Sequence, residues 1–238
     1  MRVDKEPAYV LHKRAYRESS NLLEVFTPSH GRVGLVHKGG RRLKKGGGVI
    51  QPFNELALSW TGRGELFTLT RSDVTRVSGV QAPFRVICGL YLNELILNMM
   101  PRMLPSVELY RAYASSVSML KGMEHIEPLL RRFELILLSC SGYGLQLHSD
   151  AEHGLAIDPQ VHYTYDCTRG PIKISSPDVP SKDVIVSGRT LIWLRTLNGA
   201  DKKALQEAKR LLRRVIDYHL QNKPLHTRSI MGYLRRNH

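Results

Sequence analysis

Five cations crowd into one short run of this 238-residue chain: Lys38, Arg41, Arg42, Lys44 and Lys45. Glycines bracket the last four, Gly39 and Gly40 on one side and Gly46, Gly47 and Gly48 on the other. No Asp or Glu occurs from Val25 to Asn54. Like charges this close repel, so they stay splayed in solvent unless something anionic gathers them. Flanking glycines lower the steric cost of bending the backbone against a ligand. The chemistry that suits this pattern is neutralisation of phosphates on a nucleic-acid strand. Each such contact releases condensed counterions and steepens the salt dependence of binding by roughly 0.7 on a single strand. The same residues also suit a solvated hairpin loop that happens to be basic, and the local pattern leaves both readings open.

The whole chain leans the same way. Its net charge is +14 and its pI is about 9.9, which points to an anionic partner. The charge is concentrated at two ends. Residues 1–82 carry 14 Lys/Arg against 7 Asp/Glu, residues 83–188 carry 9 against 11, and residues 189–238 carry 12 against 3. That distribution predicts an electrostatic footprint built from both ends, rather than an even coat of solubilising charge. Within the first end, Lys13, Arg14, Arg17, Arg32 and Arg63 join the 38–45 run as candidate phosphate contacts. Within the last, Lys209, Arg210, Arg213 and Arg214 do so. Tyr16, Phe26 and Trp60 could stack on bases, an interaction of about 1–3 kcal/mol per base, although aromatics in a small barrel usually serve its core.

Several chemistries lack their residues. The chain has no G-x-x-x-x-G-K-[ST] phosphate loop, no H-E-x-x-H and no G-x-S-x-G. Its carboxylates do not cluster as a two-metal site requires. Cys88, Cys140 and Cys167 are odd in number, far apart and without a C-x-x-C pair, so they read as reduced thiols, not a disulfide framework or zinc site. His148, Asp150, His153, Asp158, His162, Asp166 and Cys167 match no metal-ligand spacing. The sequence therefore reads as a binding protein without catalytic residues, cofactor or metal. The first residues have no apolar signal core, and Asn93, Glu94 and Asn98 interrupt the longest apolar stretch. The expected location is cytoplasmic and nucleoid-associated, with no membrane partner.

These residues must be positioned by two kinds of structure. Residues 8–78 read as five short strands punctuated by Gly, Pro and Ser turns: from 8, and at 21–26, 32–37, 53–60 and 66–77. Five strands in about 70 residues suggest a closed barrel, because closure removes exposed edges. An OB-type barrel suits single strands, and an SH3-like barrel fits the strand count almost as well. From Ala82 the period turns helical. Helices are expected at 83–100, 106–120 and 126–141, packing together as a bundle in which Glu94 would need a partner. Residues 145–187 are irregular, with possible strands at 161–165 and 172–175. A short apolar segment at 190–197 precedes a long helix capped by Asp201 and ending near 220, and a last helix starts near Ser229. The expected fold class is α+β: an N-terminal five-stranded OB-fold barrel over 1–80, then a mainly helical domain over 81–238 with an irregular insertion at about 145–187.

Four segments, in order, resemble the RecO family of bacterial recombination mediators: AYVLHKRAYRESSNLLEVFTPSHGRVGLVHKGGRR (8–42), YLNELILNMMPR (91–102), RRFELILLSCSGYGLQL (131–147) and KPLHTRS (223–229). The resemblance implies an OB domain followed by a helical domain. It also implies binding of single- and double-stranded DNA, annealing of complementary strands, and loading of RecA onto DNA coated by the single-stranded DNA-binding protein SSB, together with RecR. It implies no nucleotide hydrolysis. Many members carry a four-cysteine zinc ribbon after the segment matching GYGLQL. Here LHSDAEHGL (147–155) has no cysteine, so the chain resembles a zinc-free member. An acidic, apolar SSB tail needs an Arg and an apolar groove. Leu129, Arg131, Arg132, Phe133 and Leu137 are the candidates for that site, the alternative being bundle core with solvated arginines. An RNA- or ribosome-binding OB protein is the competing function, since phosphate contacts do not separate the two nucleic acids.

Overall fold

The computed structural model describes residues 1–39, 50–122, 126–175, 184–198 and 201–236. Five strands open the chain: β1 (Arg2–Tyr16), β2 (Ser20–Thr27), β3 (Gly31–His37), β4 (Glu55–Thr61) and β5 (Leu66–Arg76). They close into a barrel in the order β1-β2-β3-β5-β4, the five-stranded OB arrangement the sequence suggested. Closure depends on the length of β1. Its first half pairs with β4 and its second half with β2, Tyr9 pairing with both, and a register irregularity follows between Val10 and His12. On the other side β3 meets β5 in parallel. Alternation decides which side chains fill the barrel. Leu23 and Val25, Val33 and Leu35, Leu56, Leu58 and Trp60, and Phe67 and Leu69 all point inward with Ala8 and Val10.

The outer face of β1 and β2 is also covered. Helices α1 (Pro83–Met99) and α2 (Val107–Leu120) follow the barrel. Tyr110 and Tyr113 of α2 pack against Tyr9 and Phe26, with ring centroids 5.0–6.4 Å apart. Buried Asn93 ties this layer together: its amide donates to the Leu11 carbonyl at 2.9 Å and accepts from the Tyr113 hydroxyl at 2.7 Å. A buried amide satisfied on both sides fixes α1 to β1 without leaving an orphaned polar group.

The chain forms two compact units, one of Met1–Met123 with Leu225–His238 and one of Glu124–Pro224. The expected three-helix bundle is therefore not formed. Helix α3 (Ile126–Cys140) belongs to the second unit, where it packs on α5 (Lys202–His219). That unit also holds a small sheet in the order β7-β6-β8, made of β6 (His162–Asp166), β7 (Gly170–Lys173) and β8 (Ile185–Ser187), and α4 (Gly188–Thr196). Asp201 caps α5 as expected, its carboxylate accepting from Ala204 N at 2.6 Å. Ser187 caps α4, and its hydroxyl, its N–H and the Thr190 hydroxyl all donate to the carboxylate of buried Glu207.

Helix α6 (His226–Arg236) returns to the first unit and lies on α1. It begins three residues before the expected start because α1 supplies its cap. The Glu94 carboxylate accepts from the His226 and Thr227 N–H groups at 2.8 and 3.0 Å and from the Thr227 hydroxyl. This is the partner Glu94 needed, and a carboxylate at a helix N-terminus also suits the helix dipole. No helix among the described residues is long and apolar enough to cross a membrane.

Candidate nucleic-acid interface

OB barrels commonly hold oligonucleotides on the outer face of strands 2 and 3 and on the loops beside it. In this barrel that face carries the protein's own chain. Glu24 on β2 pairs with Arg32 on β3 at 3.4 Å and with Arg102 from the α1–α2 connection. The Arg102 guanidinium lies over Gly34, where an added Cβ would come within 3.4 Å of it and 2.7 Å of Leu66. Met103 N donates to the Arg32 carbonyl at 2.9 Å. At Gly31, held at φ +65°, a Cβ would overlap the Leu104 carbonyl. The connection thus runs against β3 as closely as backbone allows, which explains both glycines.

Arg32 is absorbed by this arrangement. Its guanidinium donates to the Leu97 carbonyl at 2.7 Å and to the Met100 carbonyl, the open carbonyls at the end of α1. Phe26 and Trp60 are fully buried, so neither is available to a base. Trp60 points into the barrel, where small-barrel aromatics usually lie; Phe26 and Arg32 are covered by helices far along the chain, which the sequence does not show.

The cations that remain open lie at one end of the barrel. Beyond Leu11, β1 projects past the covered face, and His12, Lys13, Arg14 and Ala15 are all exposed. The register puts Arg14 opposite Leu22 and Tyr16 opposite Ser20 on β2, and Asn21 opposite His37 on β3. Lys38 therefore leaves β3 beside the β1–β2 turn. Arg17 sits in that turn with φ 53°, its guanidinium 5.2 Å from the Tyr16 ring centroid. Glu18 is the acid of the turn. Lys13 Nζ donates to the Ile50 carbonyl at 3.2 Å, where the chain re-enters the barrel. Lys13, Arg14, Arg17 and Lys38 are thus brought together by three neighbouring strands. Arg41, Arg42, Lys44 and Lys45 lie outside the described residues. Arg63 is exposed but in the β4–β5 turn, away from this end of β3, since Leu66 after it pairs with Gly34 at mid-strand.

The second unit holds the remaining candidates. On α5, Lys209 pairs with Glu127 at 2.9 Å and Arg213 with Asp217 at 3.7 Å, while Arg210 is exposed and Arg214 half-buried. On α3, Leu129, Phe133 and Leu137 are core residues, and Arg131 is buried against Glu134 at 2.6 Å. Arg132 is the exposed member of that set. An apolar groove formed by these three side chains is therefore not open at the surface. The acids that raised the question of a metal serve turns instead. Asp150 accepts from the N–H groups of His153, Leu155 and Glu152, which hold its carboxyl below the usual range. Asp166 accepts from the Thr168 hydroxyl and from the N–H groups of Thr168 and Arg169, with the same effect. No group of three or more His, Cys, Asp and Glu placed to hold a metal occurs among the described residues.

Comparison with known proteins agrees with this architecture. Residues 1–77 match the family described as Recombination protein O N terminal, and residues 80–229 match Recombination protein O C terminal. The chain is 44% identical over 237 residues to the DNA repair protein RecO of Nitrosococcus oceani, covering 99% of this chain and 96% of that one. It is 42% identical over 230 residues to the RecO of Methylococcus capsulatus (96% and 93%), and 37% identical over 235 residues to that of an Azoarcus species (98% and 97%). With both halves matched and relatives of this identity aligned along nearly its whole length, the chain belongs to the RecO family.

Proposed function

We propose that the protein is a DNA repair and recombination mediator that binds single- and double-stranded DNA through the open end of its barrel and anneals complementary strands. The observation that carries this is the convergence of Lys13, Arg14, Arg17 and Lys38 on one barrel end, from which the basic 38–45 run departs. Family membership and the names of the relatives support the role in repair and recombination. The mechanism is electrostatic. Cations on the protein neutralise phosphates of two strands at once and lower the repulsion between them, and base pairing then does the recognition. Binding is accordingly nearly independent of sequence, and no bond is broken by the protein, which acts as a binding factor, not an enzyme.

The same proposal includes the family's partners: RecR, SSB and, indirectly, RecA. The acidic SSB tail is assigned to Arg132, the exposed cation of α3. The apolar half of that contact would require Leu129, Phe133 and Leu137 to become accessible.

Annealing of complementary oligonucleotides, bare and SSB-coated, at two salt concentrations and without ATP or metal, tests the proposal. The wild type is compared with a variant carrying Arg41→Ala, Arg42→Ala, Lys44→Ala and Lys45→Ala. Faster annealing by the wild type, lost in the variant, is expected. Binding without annealing, or tighter binding to structured RNA than to single-stranded DNA, would overturn it in favour of an RNA-binding role.

A further inference from the structure

Helix α2 buries one side and leaves the other bare. Its inner side packs on Tyr9 and Phe26 through Tyr110 and Tyr113. Its outer side carries Val107, Glu108, Arg111, Ser115, Ser118 and Met119, all exposed at helical spacing. The connection before the helix adds Met103 and Leu104. Met103, Leu104 and Val107 fall within five residues and are each 46–47% accessible, so apolar surface here is grouped, not scattered.

The charge of this face differs from that of the barrel end. The clustered cations of β1 and the β1–β2 turn repel a second copy of so basic a chain. The outer side of α2 instead holds one acid, Glu108, and one base, Arg111, three residues apart along the same side of the helix. It also divides by size. Leu104 and Val107 come first, and Ala112, Ala114 and Ser115 follow. Side chains this small let a second helix approach to about 8 Å, the short end of helix–helix distances.

Acid before base, and large before small, is an order that complements itself when reversed. Take two copies of α2 side by side and antiparallel, related by a twofold axis near Leu109 and Tyr110. With Glu108 opposite Arg111 of the second copy, symmetry sets Arg111 opposite that copy's Glu108. The same axis brings Leu104 onto the second copy's Ser115 and Val107 beside its Ala114, and each contact occurs twice. A parallel pair would set Glu108 against Glu108 and Arg111 against Arg111. Charge complementarity therefore selects the antiparallel arrangement, and a second copy of this chain as the occupant.

We infer that the outer face of α2 is a self-association surface, on which a second copy docks antiparallel through reciprocal Glu108–Arg111 pairs, with Leu104 and Val107 over the small side chains of the other helix. The inference deepens the DNA-binding reading above and rests on it for its purpose. The barrel and α2 belong to one unit, so a twofold dimer offers two barrel ends, one for each strand to be annealed. A contact of one helix and its connection is small, and the association is accordingly weak and concentration-dependent.

Sedimentation velocity of the full chain without DNA, over a concentration series up to about 0.1 mM, tests the contact. The samples are wild type, Glu108→Arg, Arg111→Glu and an equimolar mixture of these two variants, all matched by circular dichroism. Wild type should dimerise reversibly. Either reversal sets like charges opposite each other twice and should weaken self-association about ten- to 100-fold. The mixture should recover it, because the two reversals complement each other across the axis, and a merely structural effect would not be rescued by mixing. Annealing assays on the same samples read the purpose. Each single variant should bind a single-stranded oligonucleotide as wild type does but anneal more slowly, and the mixture should anneal at the wild-type rate. A wild type that stays monomeric, a dimer that neither reversal weakens, or a loss that mixing does not restore would overturn the surface. Dimerisation with equal annealing in every sample would overturn its purpose and leave the DNA-binding reading standing. No oligonucleotide binding by a dimeric wild type would overturn that reading and, with it, the purpose given to the dimer.

Discussion

The separation of Arg63 from the other cations of the barrel makes a quantitative prediction. Lys13, Arg14, Arg17 and Lys38 cluster where β1, β2 and β3 meet, and Arg63 lies in the β4–β5 turn, just before Leu66, which pairs with Gly34. From Gly34 to His37 the strand advances about 3.3 Å per residue, so the level at which β5 joins β3 is about 10 Å from the cluster. Replacing the four clustered cations with Ala removes up to four phosphate contacts. At roughly 0.7 per contact on a single strand, the slope of log affinity against log salt becomes shallower by up to about 2.8. If Lys13 stays on the Ile50 carbonyl in the complex, three contacts are lost and the change is about 2.1. Between 50 and 200 mM salt the larger figure means that the variant loses about 50-fold less affinity than the wild type. Arg63→Ala should leave the slope where it is. Anisotropy titrations with one oligonucleotide at five salt concentrations, on proteins matched by circular dichroism, read both numbers. Parallel slopes for the wild type and the four-Ala variant, or a change from Arg63→Ala as large as from any single member of the cluster, would refute the one-ended footprint.

Other perturbations test the frame that holds this end in place. Gly31→Ala puts a Cβ into the Leu104 carbonyl on a residue at φ +65°, and should destabilise the protein by about 2–4 kcal/mol in chemical denaturation. Glu94→Ala orphans the first donors of α6, so amide exchange of 226–229 should rise and stability fall by about 1–2 kcal/mol. Glu207 gives a pH effect. Burial alone would raise its carboxyl, but donors from Thr190 and Ser187, with Lys203 nearby, outweigh burial and hold it below the usual range. A depressed folded pKa stabilises above the unfolded value of about 4.5 and stops doing so as pH falls through the folded value. Wild type should therefore lose stability relative to Glu207→Gln as pH drops below about 4.5, and equal losses in both proteins would reject the carboxylate's role.

Much of the fold was legible because its signals are local. The strands of the barrel alternate in sequence, Pro83 and Ser106 mark helix starts, and Asp201 caps the helix it was expected to cap. The misreadings share a cause, which is dependence on a residue distant in sequence. Arg32 looked like an open cation, yet its partners are carbonyls 65 and 68 residues on. The sequence points to a start of α6 near Ser229 because its cap, Glu94, lies 132 residues earlier than His226. Phe133 and Leu137 fit either a groove or a core by pattern, and burial decides for the core. Strand β8 is three residues long and too short to alternate visibly. At the candidate site, composition identified the charge but not its grouping. Register alone separates Arg63 from Lys13, Arg14, Arg17 and Lys38.

The return of α6 also sets an order of events during synthesis. Residues 1–123 leave the ribosome with their barrel and first two helices ready to associate, but the helix that completes that unit follows the whole of the second one. Until then the Glu94 carboxylate and the flank of α1 around Cys88 face water, and the nascent unit is one a chaperone could still engage. Trimming or fusing the chain near its C-terminus would consequently be felt in the barrel unit, well away in sequence from the altered residues.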